Sequence, residues 1–227
     1  IDDVLPKAYE EAWDGTSHSS SFHSFGSSTQ SGSVDYRLPA LSFGDMSLSL
    51  TATYDPNAGS GPASAGGVAG NDHSGVAYTA KIDSGMGLAV GGGIEEVTTA
   101  STATGASDLT RATGYVTYSN GPLSIGYQEM FQNSENLGDS TTQAPDVEGD
   151  GIGIAFSQDN MSFSYAEVTE EVKDIAAVTS LETEMTALQA TYTMGAMTLG
   201  ASMYETDNPE GTTGKYEETE LSVSFAF

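Results

Sequence analysis

A chain of 227 residues with 32 acidic and only 6 basic side chains carries a formal net charge of −26. That balance excludes nucleic-acid binding, because Lys7, Arg37, Lys81, Arg111, Lys173 and Lys215 are too few and too scattered to form a basic face against phosphate. No run of 18 apolar residues is present, so the sequence holds no transmembrane helix; β-strands, which cross a bilayer in about 9–11 alternating residues, are not excluded.

Strong acidity fits either a disordered, solvating chain or a β-protein with a very polar surface, and ordered alternation along the sequence selects the second. Cys is absent, which leaves the redox compartment open. Residues 1–12 are acidic and have no apolar core, so a secretory signal has been removed or the chain starts late. Residues 1–30 do not read as strand. Asp3 can cap a short helix with Pro6 in its first turn, running to Trp13, and residues 15–33 have the Ser-, His- and Gly-rich composition of a loop.

From residue 31 onward the texture is period-2. Val34, Tyr36 and Leu38 alternate with Asp35 and Arg37, and after a turn at Gly44 the residues Met46, Leu48, Leu50, Ala52 and Tyr54 alternate with Ser and Thr. The same unit recurs around turns at Gly85, Gly121, Asp159 and Gly195, and a final strand ends in Leu221, Val223, Phe225 and Phe227. This predicts an all-β chain of about eleven antiparallel strands, five hairpins plus one. Short turns alternate with longer polar loops at 55–72, 97–108, 133–148, 170–181 and 206–213, giving one trimmed rim and one ornate rim. A transmembrane β-barrel has that asymmetry.

The apolar phase is assigned to lipid, with Tyr54, Tyr118, Tyr192 and Phe227 as girdle residues. A soluble β-sandwich also alternates, but it needs bulky side chains to fill a core, and here the apolar phase is diluted by Ala, Gly and Met. Ser47, Ser49, Thr51, Thr53, Gly151, Gly153, Thr198 and Gly200 on the other phase are too small to plug a wide lumen, which predicts a wet interior. Arg37, Lys81 and Arg111 fall on that polar phase and are expected to point inward, since a base facing lipid costs about 2–4 kcal/mol at mid-membrane.

The terminal strand and the turn/loop alternation resemble the general diffusion porins of Gram-negative bacteria, alphaproteobacterial type. The resemblance implies an outer-membrane location, a homotrimer of sixteen-stranded barrels, contact with outer-membrane lipids, and passive diffusion of small hydrophilic solutes and ions. It also implies an inward-folded acidic loop opposite basic wall residues. Residues 1–30 look like that loop, with Asp2, Asp3, Glu10, Glu11 and Asp14 as the acidic side of a constriction and Arg37, Lys81 and Arg111 as the basic side. An ordinary bacterial barrel has both ends at the periplasmic rim, which needs an even number of strands, so residues 31–227 with eleven are expected to form the last eleven strands of sixteen. A negative lumen concentrates cations, so cation preference is expected.

Other chemistry is weaker. Asp146, Glu148 and Asp150 resemble the start of a calcium loop, but Ser157 stands where an EF-hand needs Glu; a looser Ca2+ site bridging to lipid phosphates is the reading left, and no cofactor is required. His18, His23 and His73 lack metal-ligand spacing. His73-Ser74 has the residue types of a barrel lipase, but adjacency in sequence is not catalytic geometry, and no enzyme is expected. A barrel acting through its loops, as an adhesin or phage receptor, is the alternative.

Overall fold

The computed structural model describes residue 5 and residues 33–56, 73–99, 107–136, 146–173, 181–208 and 213–226. Among these, all regular structure is β: β1 (Val34–Arg37), β2 (Leu41–Phe43), β3 (Met46–Asp55), β4 (His73–Asp83), β5 (Leu88–Thr99), β6 (Ser107–Asn120), β7 (Leu123–Asn136), β8 (Asp146–Gln158), β9 (Met161–Lys173), β10 (Leu181–Met194), β11 (Met197–Asp207) and β12 (Lys215–Phe225). They form one sheet in the order β1-β3-β4-β5-β6-β7-β8-β9-β10-β11-β12, with β2 also on β3. Every pairing is antiparallel between chain neighbours, an up-and-down meander.

The all-β expectation holds, and so does the strand count once β1 and β2 are seen as two pieces of one strand. Both pair with β3, β1 opposite residues 51–54 and β2 opposite residues 46–48. Pro39 lies in the gap between them, where it has no N–H to give to the ladder, while the Leu38 N–H still reaches the Leu50 carbonyl at 3.0 Å.

All five predicted turns lie where the sequence put them. Gly44, Gly121 and Gly195, and the non-glycine Asp159, occupy the first position of two-residue loops with φ between +54° and +67°. An L side chain resists that region, hence glycine at three of the four and a short Asx residue at the other.

Loop boundaries are corrected. Residues 97–99, 107–108, 133–136, 146–148, 170–173, 181 and 206–207, read as loop, are strand. Their acidic composition mimics a loop, but the antiparallel ladder satisfies the backbone whatever the side chain, and outward carboxylates stay in water. The helix expected in residues 1–30 lies outside the described residues.

Register fixes two faces. Outward stand Leu88, Tyr118, Ile125, Ile154, Tyr165 and Leu188, register partners across successive strands, and most of these large apolar side chains are exposed. The opposite, inner face carries the buried residues, among them Gln128, Val147, Val168, Met185, Gln189 and Thr206. A face this apolar and this bare is the reverse of a soluble sheet.

Candidate functional site: the inner wall

On the inner face small and polar side chains line the turn-side half. Ser47, Ser49, Thr51 and Thr53 of β3 share it with Ser162 and Ser164 of β9 and with Thr198, Gly200 and Ser202 of β11. Hydrogen bonds join them laterally: the Ser164 hydroxyl donates to Gln189 Oε1 at 3.3 Å, and Gln189 Nε2 donates to the Tyr204 hydroxyl oxygen at 3.1 Å. A wall bonded to itself in this way is hydrophilic.

Arg37, Lys81 and Arg111 all stand on the inner face, on β1, β4 and β6. Successive members are two strands apart, about 10 Å in the hydrogen-bonding direction. Their environments differ. Arg111 Nη1 pairs with Glu95 Oε2 at 3.3 Å and Nε donates to Gln132 Oε1 at 3.0 Å, with side-chain exposures of only 12% for Arg111 and 7% for Glu95. Arg37 reaches Asp35 at 3.5 Å on an exposed surface, and Asp35 also accepts from the Thr53 hydroxyl at 2.8 Å. Lys81 is exposed and has no ion-pair partner among the described residues.

Glu95 was not expected at this site. Its phase was visible in the sequence, but the connection at 100–106 leaves the β5–β6 register open, so its pairing with Arg111 was not. Asp35, Asp55, Asp83, Glu95, Glu170, Glu218 and Glu220 also lie on the inner face, so acids outnumber bases there.

Asp2, Asp3, Glu10, Glu11 and Asp14 lie outside the described residues, as does Phe227. Leu5 is described, and it packs on the inner face against Met130, Val147 and Val168. Sequence reading passed over it because a single Leu in an acidic stretch has no periodicity.

The outward face is two-layered. Near the short turns it is apolar, and Tyr118 and Tyr192 stand in that layer, with Tyr54 at the other end of β3. Towards the longer connections it becomes acidic: Glu129, Glu148, Asp150, Glu167, Glu171, Glu182, Glu184, Glu205, Asp207 and Glu217. Tyr127 and Tyr165 mark the boundary, donating their hydroxyls to Glu129 at 3.0 Å and Glu167 at 2.6 Å. A depression of about 500 Å³ opens in the acidic layer beside Glu129, Glu148, Asp150, Glu171 and Glu182.

Asp146, Glu148 and Asp150 belong to β8, not to a loop, and stand on the outward face at every second residue. One Asp146 carboxylate oxygen is buried without a hydrogen-bond partner among the described residues, yet no three His, Asp or Glu residues there converge as a metal needs. His73 opens β4.

No protein-family model matches the chain, and no curated protein matches it. Among solved structures it is similar to a porin refined at 1.8 Å resolution, at 17% identity and a TM-score of 0.60, over 85% of this chain and 60% of that one. The fold is therefore porin-like, an antiparallel β-meander of the barrel type. The chain spans about 60% of the length of the solved porin it matches.

Proposed function

We propose that this chain forms the larger part of the wall of an outer-membrane porin of a Gram-negative bacterium, through which small hydrophilic solutes and ions diffuse passively with a preference for cations. The observation that carries the reading is the division of one continuous meander into an outward face of exposed apolar side chains and an inner face rich in Ser, Thr, Gly and charged side chains. Exposing such a surface to water is unfavourable by about 25 cal/mol per Å², whereas lipid removes that cost. The tapering of the apolar layer into acids suits the passage from hydrocarbon to headgroups and water.

The likeness to a solved porin supports the barrel. β1/β2 and β12 are the two edges of the sheet, and edges in hydrocarbon would leave backbone groups unbonded. We therefore read the chain as the C-terminal eleven of sixteen strand positions, in a porin of the alphaproteobacterial type that assembles as a homotrimer. With Arg111 neutralised by Glu95 and Arg37 by Asp35, the basic side of the constriction reduces largely to Lys81, while Asp2, Asp3, Glu10, Glu11 and Asp14 supply the acidic side. That imbalance favours cations by field focusing. Diffusion needs no catalytic group and no cofactor.

Purified full-length protein, added to a planar bilayer, is expected to give stepwise conductance. A folded barrel that inserts and carries no current sinks the reading.

A further inference from the structure

We infer that the channel rectifies: the fixed charge of its wall stands in the half towards the longer connections, the half beside the short turns is neutral, and cations driven from the first into the second carry more current than cations driven back. The inference rests on the porin reading, but the charge distribution beneath it does not. In the five residues of each strand nearest its short turn, with β1 and β2 counted as one strand, the only charged side chains are Lys81 and Asp83 of β4, one of each sign. Asp45 and Asp159 lie beyond the strands, in the turns themselves. The remaining inner-face residues of that zone are small or hydroxylic, and the hydroxyls bond to one another across strands: Ser119 with Ser124 at 2.9 Å, Thr193 with Thr198 at 3.1 Å, and Ser162 with Thr191.

Farther from the turns the inner face changes character. It carries Asp35, Asp55, Glu95, Glu170, Glu218 and Glu220 against Arg37 and Arg111, so among the described residues six acids less two bases leave −4. Several of these carboxylates are held at the wall: Glu95 by Arg111 at 3.3 Å, Asp35 by the Thr53 hydroxyl at 2.8 Å and Glu218 by the Tyr216 hydroxyl at 3.0 Å. The charge is therefore fixed in place along the channel.

Five strand residues at a tilt of about 40° make about 13 Å of channel, longer than the Debye length of about 10 Å at 0.1 M salt, so each half keeps its own ion atmosphere. The charged half carries current mostly as cations, and the neutral half carries both signs. When the field drives cations from the charged half into the neutral one, cations and anions both accumulate at the junction and conductance rises. Reversing the field depletes the junction. At 1 M salt the Debye length is about 3 Å, the wall is screened and the asymmetry is lost.

The test is the single-channel current of the full-length protein in a planar bilayer at equal and opposite voltages. At 0.1 M KCl the larger current should be about 1.5 times the smaller, and at 1 M the two should match. Glu218→Gln with Glu220→Gln, which removes acids from the charged half, should bring the ratio towards one and lower the cation preference read from the zero-current potential. Ser157→Glu with Thr198→Glu, which places acids beside the short turns, should also bring the ratio towards one while raising the cation preference. Total charge alone would move the two variants in opposite directions on both readings. Heat-modifiable gel mobility verifies that each variant is folded, and either pair that folds suffices. The chain has no cysteine and Met86, in the turn before β5, is 77% exposed, so a polymer-linked maleimide too large for the lumen, added to one chamber, reports through Met86→Cys which rim faces it. Conducting channels with equal currents at 0.1 M KCl, with the larger current for cations driven from the short turns, or with a ratio raised by Ser157→Glu and Thr198→Glu, overturn the rectification and leave the porin reading standing. A folded, inserted protein that carries no current overturns both.

Discussion

On the outward face, two layers of side chains stand on the same strands and follow different rules. In β10, Leu188 and Tyr192 near the turn give way to Glu184 and Glu182 near the other end; in β11, Leu199 and Met203 give way to Glu205 and Asp207. Backbone pairing is continuous through both layers, so the ladder does not distinguish them and only the surroundings can. The apolar layer runs for about eight residues from the turns, about 20 Å high at a tilt of about 40°. The inner face shows a third rule, in which, among the described residues, a buried base is paired while the unpaired Lys81 is exposed. Arg111 with Glu95 is the clearest case.

Substitutions break this comparison in order of expected size. Arg111→Met takes the cationic partner from buried Glu95 and should cost about 3–5 kcal/mol, read as a shifted urea midpoint for the detergent-folded protein, with Glu95→Gln in the same chain recovering part of the loss. Ile154→Arg in the apolar layer should cost about 2–4 kcal/mol of folding into vesicles, whereas Thr198→Arg on the inner face should cost little; equal penalties would mean the two faces do not meet different media. Asp159→Ala, which keeps the positive φ but loses the short polar side chain, should cost about 1 kcal/mol in the same assay. Glu205→Ala, in the acidic layer, loses only an exposed pair with Lys215 and should move stability by less than about 1 kcal/mol. Lys81→Glu should leave stability within about 0.5 kcal/mol and act on ion preference instead.

Strands and turns were legible because alternation and turn glycines are local signals. Gly121 and Asp159 stand where they were read, and Val116, Ile125 and Ile154 share one face as their phase required. Strand ends were not legible. Glu148 and Glu171 look like loop because composition reports solvent, and the outward side of a strand that rises out of an apolar layer is solvated much as a loop is. The inner wall was half legible: the side of Arg37, Lys81 and Arg111 followed from parity, but the Arg111–Glu95 pair depends on register across a long connection. Leu5 depends on a contact between residues far apart in the chain, and nothing near it in sequence announces that.

The central claim is that the inner face bounds a water-filled, cation-preferring path. Its most direct test is the zero-current potential of the full-length protein in a planar bilayer under a KCl gradient. The account predicts a potential displaced toward the potassium equilibrium value, and displaced further in Lys81→Glu. A potential on the chloride side, or no conductance from inserted protein, would contradict it.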